Sequence, residues 1–266
     1  MTTSLLNHVD FKDLNRILAD VAGLQMSPAK RPLVGGRLSD RLGHHGLQTY
    51  SDYLTLVEQD PAERQKVLDL LTSTETQFFR EARHFGFLAD HIAPRLRDEG
   101  AMRVWSAGCS TGQEPYTIAM VLLHALGHER FEILASDINT RVLQEAGAAR
   151  YPIEQARDIP WSYRSSFCLK GTQEHEGLFQ FDRPVRERLY FEQINLNTDL
   201  PNVGLFDVIF LRNVLTGFAL DARRALIDRV WPCIRPGGWL IIGEAENLHG
   251  MPHPLKMVRP SIYQRP

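Results

Sequence analysis

The stretch Arg103-Val104-Trp105-Ser106-Ala107-Gly108-Cys109-Ser110-Thr111-Gly112-Gln113-Glu114-Pro115-Tyr116 decides the fold of this chain. Val104 and Trp105 suit a short buried strand, and Gly108 and Gly112 bracket a tight turn. Pro115 fits the first turn of a helix, where a missing N–H leaves no hydrogen bond unmade. The apolar run over 118–122 carries that helix against a sheet. Strand, glycine turn and helix form the usual seat of a nucleotide-like cofactor in a doubly wound α/β domain, although the same geometry also serves as plain connection.

Downstream, residues 131–137 read as a second strand ending in an acid. In dinucleotide-type sites an Asp or Glu about 20 residues beyond the glycine turn accepts hydrogen bonds from ribose hydroxyls. Asp137 stands near that offset; the alternative is that Ser136-Asp137 caps the helix carrying Val142, Leu143 and Ala146. Trp161, Tyr163 and Phe167 suggest a helix, and residues 170–181 a turn with short alternating strands, read as an inserted antiparallel subdomain. Residues 188–195 return to the main sheet, and 205–211 form a buried strand ending at Arg212-Asn213. A helix follows from Ala219 to Val230. Pro236-Gly237-Gly238 then turns into a core strand over 239–243, and 257–263 supplies a last strand. This alternation predicts a mostly parallel sheet.

Upstream, residues 10–71 predict only helices. Phe11, Leu14, Ile17, Leu18 and Val21 recur behind Asp10 as N-cap, with Gly23 as the stop. A second helix with a basic side runs through Leu33, Arg37, Leu38, Arg41 and Leu42 to Gly43 or Gly46. A third ends at Asp60-Pro61, and a fourth covers 62–71, so this part forms a small bundle of its own. The hydroxyl-rich run over 72–77 reads as a helix start. Phe78 and Phe79, with Phe85, Phe87, Leu88 and Ile92, then line a connecting helix that ends near Pro94 or Gly100. Arg80, following two large aromatics, is expected at a pocket. The resulting organisation is a helical domain over 1–71, a linker and connecting helix over 72–100, and an α/β domain over 101–266 with its insertion at about 152–187.

The 30 basic and 32 acidic side chains leave a net charge of −2, which argues against wholesale binding to nucleic acid. Between Ser27 and Gly46, Lys30, Arg31, Arg37 and Arg41 face the single acid Asp40, either as a solvated helix face or as a docking surface for an acidic partner. Cys109, Cys168 and Cys233 have neither metal-ligand spacing nor a disulfide framework, which fits a reducing compartment. No apolar run approaches the ~18 residues of a membrane span, and the N-terminus lacks the charged and apolar regions of a signal peptide. The chain is therefore expected to be cytoplasmic, without membrane insertion and without a metal.

The glycine turn is neither G-x-x-x-x-G-K-[ST] nor a clean G-x-G-x-x-G, and no Lys follows Gly112 to hold a phosphate. Glu114 stands at the helix entrance, where an acid repels phosphate but suits the ammonium of an amino-acid cofactor. A short glycine loop, an acidic ribose partner and that extra acid point to S-adenosylmethionine. No G-x-S-x-G or H-E-x-x-H supports hydrolysis.

Thr74-Glu75-Thr76-Gln77-Phe78-Phe79-Arg80-Glu81, Ala107 through Tyr116, Ser136-Asp137-Ile138 and Arg212-Asn213-Val214 occur in that order. With Gly171-Thr172, His175-Glu176-Gly177-Leu178, Pro236-Gly237-Gly238 and Glu246-Asn247, they make the chain resemble the CheR family, the chemotaxis receptor glutamate methyltransferases, from about Phe11 to Tyr263. The resemblance implies an N-terminal helical bundle and a doubly wound, Rossmann-like class I methyltransferase domain with a small inserted antiparallel β-subdomain. It implies methylation of specific glutamate carboxylates on cytoplasmic helices of methyl-accepting chemoreceptors, tuning adaptation, with S-adenosylhomocysteine as the cofactor product. Thr74, Thr76 and Arg80 are then expected to reach the cofactor from the linker, with Arg80 also orienting the substrate carboxylate or shaping the methyl pocket. Glu114 is expected to bind the cofactor's amino group, Asp137 its ribose, and Asn195, Leu196, Arg212 and Asn213 the adenine and surrounding wall. The basic helix near Arg37 and Arg41 would face the receptor, with the β-subdomain as a second grip, and the enzyme is expected to act as a monomer.

The departures from the family pattern are local. Thr74 stands where relatives usually carry Asn, and Gln113 where they carry Glu. Gly217 replaces a tyrosine, and Gly243-Glu244-Ala245-Glu246-Asn247 replaces Gly-His-Ser-Glu-Asn. Gly217 motivates an alternative reading, a cofactor-binding regulator with weak or no transfer. A methyltransferase acting on nucleic acid or a small molecule is a further alternative, disfavoured by the near-neutral charge.

Overall fold

The computed structural model describes residues 5–72, 75–96, 101–127 and 131–266. The chain opens with α1 (His8–Ala22), α2 (Arg31–His44), α3 (Tyr50–Gln59) and α4 (Pro61–Leu71). Helix starts leave backbone N–H groups without intrahelical partners. Here Asn7, Thr49 and Asp60 supply side-chain acceptors to α1, α3 and α4. Asp10 is thus not the N-cap that its pattern predicts. It occupies the third helical position, its amide donating to Asn7 Oδ1 and its carboxylate accepting from Asn7 Nδ2, both at 2.9 Å. Such reciprocal pairing satisfies the entry better than a lone cap. Gly23 ends α1 at φ 68, a conformation that costs a residue with a Cβ. Leu14, Leu18, Leu38, Leu42, Tyr53 and Val57 pack the bundle.

The connecting segment departs from expectation. Residues 75–77 have no helical structure, Phe78 to Ala82 form turns, and the helix begins only at α5 (Arg83–Phe87). It continues through a π turn (Leu88–Ile92) into α6 (Ala93–Leu96). Phe78 is withdrawn from the helix because its ring fills a cage of Tyr151, Phe179 and Phe181, at centroid distances of 5.0–5.9 Å. Phe79 and Glu81 take φ values of 54° and 56°, which side chains with a Cβ adopt only under constraint.

The α/β half follows as β1 (Met102–Ala107), α7 (Gln113–Leu126), β2 (Phe131–Asp137), α8 (Thr140–Ala148), β3 (Arg150–Pro152), α9 (Trp161–Phe167), β4 (Cys168–Lys170), β5 (Leu178–Phe181), α10 (Arg183–Arg186), β6 (Leu189–Gln193), β7 (Phe206–Leu211), α11 (Leu220–Val230), β8 (Ile234–Ile242), β9 (Lys256–Arg259) and β10 (Ile262–Gln264). The main sheet has the order β6-β2-β1-β7-β8-β10-β9. Its first five strands are parallel, and β10 runs antiparallel to both neighbours. This is the doubly wound architecture that the sequence predicts, and β3-β5-β4 form the small antiparallel sheet. Two local expectations are corrected. Pro236-Gly237-Gly238 does not precede a strand but lies inside β8, as a register shift against β7 between Phe206 and Val208. Residues 257–263 are not one strand, because Ser261 at φ 60 turns the chain between β9 and β10.

Strand order reverses between β1 and β7, and ligands of open α/β sheets bind beyond the strand ends at such a point. The helical bundle covers that opening. Asp69 of α4 accepts from Thr140 N (2.8 Å) and Thr140 Oγ1 (2.6 Å). At the other side, Asn195 Nδ2 donates to Val21 O (2.7 Å) and Gln25 N to Gly217 O (3.0 Å).

Candidate active site

Between bundle and sheet lies a cavity of about 760 Å³, within the usual range for small-molecule sites. Thr76, Arg80, Glu114, Asp137, Asn195, Leu196, Arg212 and Asn213 all line it, so those predicted residues meet in one place. Thr74 lies outside the described residues.

The loop after β1 is shaped for close approach. Gly108 has φ 83, and a Cβ there would stand 2.5 Å from Val214 Cγ2. Gly112 has φ 94, and its Cβ would stand 2.7 Å from the Tyr151 hydroxyl, which donates to Thr111 O at 2.7 Å. A side chain at either position would fill the cradle or push the inserted sheet away from it.

Asp137 ends β2 and holds the loop: its Oδ2 accepts from Ser110 N and its Oδ1 from Asn139 N, both at 2.9 Å. Asn139, not Asp137, caps α8, accepting from the amides of Arg141 and Val142. A carboxylate has about four acceptor positions, so each Asp137 oxygen retains capacity for a ribose hydroxyl. Burial raises the Asp137 pKa despite its amide donors.

Glu114 lies in the first turn of α7, favoured there by the helix dipole. Its Oε1 accepts from Ser106 Oγ (2.7 Å) and its Oε2 from Arg212 Nη1 (2.8 Å). Arg212 therefore acts as the counter-ion of Glu114 while also lining the cavity. Its side chain is only 2% exposed, and its guanidinium also donates to Arg80 O and to Glu81 Oε2 (3.1 Å). Sequence gave no sign of this, since the partners lie more than 90 positions apart. Asn195 lines the cavity, but its side-chain amide bonds Val21 O and Asn197 N and so ties the bundle down. Leu196 is buried in the apolar wall, its carbonyl held by Arg229.

Two carboxylates that stand in the motifs without an assigned role organise the same wall. Glu81 accepts from Asn213 Nδ2 (3.3 Å) and Glu244 N (3.0 Å). Burial raises its pKa, but Arg212, Asn213 and the Glu244 amide outweigh burial and hold it low. Glu246 is buried and accepts from the amides of Gly243 (2.8 Å), Asn213 (2.9 Å) and Thr216 (3.1 Å), fixing the loop after β7. Gly217 in that loop faces Leu24, whose Cδ2 would stand 3.4 Å from an added Cβ. The bundle thus supplies an apolar contact on that wall.

Lys30, Leu33 and Arg37 of the bundle, all exposed, also line the cavity, as does the half-buried Arg80. The Arg80 guanidinium donates to Glu75 O at 3.3 Å. Arg41 corrects the basic-face expectation: it turns inward onto Glu63, with Nε donating to Oε1 at 2.9 Å. Tyr53 donates to the same carboxylate at 2.6 Å, and His45 Nε2 lies 3.1 Å from it. Among the described residues no cluster of His, Cys, Asp and Glu could hold a metal ion, and no helix is long and apolar enough to cross a membrane.

The donor set fits S-adenosylmethionine: an acid at the helix entrance, an acid beyond β2 with spare acceptor capacity, and a glycine cradle without a phosphate-binding Lys. Comparison with known proteins agrees. A family model described as "CheR methyltransferase, SAM binding domain" matches residues 74–263, and one described as "CheR methyltransferase, all-alpha domain" matches residues 9–72. Chemotaxis protein methyltransferase 2 of Pseudomonas aeruginosa is 35% identical over 257 residues, covering 96% of this chain and 92% of the relative. The chemotaxis protein methyltransferases of Klebsiella aerogenes and Escherichia coli are 38% and 37% identical, covering 91% of this chain and 84% and 85% of theirs.

Proposed function

This chain belongs to the CheR methyltransferase family, and from that premise we propose that it methylates specific glutamate carboxylates on the cytoplasmic helices of a methyl-accepting chemoreceptor. The observation that carries this reading is the polarity of the cavity. Its lining combines Glu114 and Asp137, which suit a cationic amino-acid nucleoside, with Lys30, Arg37 and Arg80, which suit an acidic side chain. S-adenosylmethionine, when bound, supplies an activated methyl group on a sulfonium.

A glutamate, with an ordinary pKa of about 4.3, is already ionised at neutral pH, so no general base is required. The residues of this chain therefore position and desolvate. Glu114 and Asp137 hold the cofactor's ammonium and ribose; Thr76, Leu196 and Asn213 contribute to the wall. Arg80 orients the incoming carboxylate. Arg37 and Lys30 attract the acidic receptor helix, while Arg41 supports the bundle from within. The outer strand β4, with Leu169 exposed, offers a second contact. Gly217, which motivates the regulator reading, removes none of Arg80, Glu114 or Asp137, and Leu24 covers that wall.

Incubation with labelled S-adenosylmethionine and receptor cytoplasmic fragments from the source organism tests this. The expected product is a base-labile methyl ester, lost when the receptor glutamate is replaced by glutamine. Label transferred to RNA or to small molecules instead of the receptor would refute the reading. Arg80→Ala is expected to depress turnover at least a hundredfold while leaving S-adenosylhomocysteine binding within about threefold; unchanged turnover would exclude its role.

A further inference from the structure

We infer that Glu81 is a positioning residue for methyl transfer, acting through the backbone of Arg80; the inference rests on the role assigned to Arg80 above. Arg80 sits between Phe79 and Glu81, both with positive φ. Two such residues in three reverse the chain sharply, and they persist only where surroundings over-determine them. The surroundings do so from three sides. Phe79 N donates to Thr117 Oγ1 at 3.2 Å, and its ring packs against Phe85 and Tyr163. The Arg80 carbonyl accepts from Arg212 Nη2. The Glu81 carboxylate accepts from Arg212, from Asn213 Nδ2 and from Glu244 N.

Arg212 is the shared element. One face of its guanidinium lies over the Phe85 ring, and its two Nη groups are divided between Glu114, Glu81 and the Arg80 carbonyl. Glu81 therefore does two things at once. It fixes the far side of the strained turn to the loop after β7, and it holds the guanidinium that grips the carbonyl of Arg80. The Arg80 guanidinium, by contrast, has only the Glu75 carbonyl at 3.3 Å among the described residues. The point from which it reaches into the cavity is set by the backbone that carries it. A carboxamide at position 81 keeps the volume but loses the charge facing Arg212. It also offers an N–H toward the Glu244 amide or the Asn213 side chain, where an acceptor is needed.

A double-mutant cycle tests this. Wild type, Glu81→Gln, Arg80→Ala and the double variant are assayed for ester formation on a receptor fragment that the wild type methylates, and S-adenosylhomocysteine affinity is measured by titration calorimetry. Glu81→Gln is expected to lower kcat ten- to a hundredfold with the affinity changed less than about fivefold. In the double variant kcat should equal that of Arg80→Ala alone, because the contribution of Glu81 passes through Arg80. Losses that multiply in the double variant would overturn the inference while leaving the role of Arg80 intact. Full turnover by Arg80→Ala would overturn both. Should Glu81→Gln fail to fold, Glu81→Asp, which keeps the charge but shortens the reach, completes the same cycle with the same expectation of non-additivity.

Discussion

His84 gives the most quantitative prediction. It is 2% exposed; its Nε2 lies 2.7 Å from Ser261 Oγ, and its Nδ1 is 3.4 Å from Glu81 Oε2. Burial, then the Arg212 charge, lower its pKa from 6.5 to about 4, with Arg83 acting in the same sense and Glu81 and Glu244 opposing. A histidine held neutral in the fold stabilises the protein above the unfolded pKa, and that stability is lost as pH falls from 6.5 toward about 4. At pH 5.0 the unfolded chain binds nearly one proton that the folded chain does not, which removes about 2 kcal/mol relative to pH 7.5. The perturbation is His84→Gln, whose amide keeps a partner for Ser261 but does not titrate. Urea unfolding at both pH values should show the wild type losing about 2 kcal/mol more than the variant. The imidazole NMR resonances of His84 should stay at their neutral positions at pH 5.0. Equal losses in the two proteins, or a His84 resonance that titrates near pH 6.5, would refute the reasoning.

Other perturbations separate binding from support. Asp137→Asn keeps the shape but loses the charge at the ribose end of the cavity; S-adenosylhomocysteine affinity should fall about tenfold or more by calorimetry, with kcat at saturating cofactor changed little. Gly108→Ala should abolish cofactor binding by the same titration, since its φ of 83° penalises a Cβ and Val214 occupies its place. Arg41→Ala should cost about 2–3 kcal/mol in urea unfolding by leaving Glu63 buried without its cation, while receptor methylation at saturating receptor stays at the wild-type rate. Burial alone would raise Glu63, but Arg41, Tyr53 and His45 hold it down to about 2. The stability from this group is therefore present above its ordinary 4.5 and lost as pH falls toward 2; in Arg41→Ala that loss should begin at higher pH.

The readable parts of this chain were those whose causes are local. Helices α2 to α4 follow from apolar spacing and from stop signals at Gly43, Gly46 and Asp60-Pro61, and the strands ending at Asp137 and Leu211 follow from apolar runs. The misread parts depend on distant partners. Asp10 reads as the cap because a one-letter pattern cannot distinguish the first half of a reciprocal pair from the second. Phe78 and Phe79 looked like helix residues, yet Phe78 belongs to an aromatic cage built by β3 and β5. At the site, the glycine loop and Asp137 were legible through turn chemistry and strand position. The roles of Arg212, Glu81 and Glu246 were not. Arg212 is paired across 98 and 131 positions with Glu114 and Glu81, and Glu246 acts through backbone amides that carry no residue signature. Acids inside apolar or glycine-rich loop sequence, with no neighbouring cation, were the available signal for Glu246. For Glu81 it was adjacency to Arg80.

The arrangement of charge bears on the order of events. Glu114 and Asp137 border the cavity beside one buried cation, Arg212, whose charge Glu81 also shares. With no ligand on it, that floor repels a second carboxylate. A cofactor of net charge +1 offsets part of that negative charge, so on the proposed roles a glutamate entering past Lys30 and Arg37 toward Arg80 meets less repulsion once the cofactor is bound. Esterification then removes the charge on which Arg80 and the outer cations act, so the side chain that was drawn in is no longer held. Under the proposed roles the same residues favour the unmodified receptor over its product, with no need for a pocket that measures the added methyl group. Because Lys30 and Arg37 are exposed, their part of this attraction is screened by salt; that of the half-buried Arg80 is screened less. Rising ionic strength should accordingly raise the KM for receptor more than it lowers kcat.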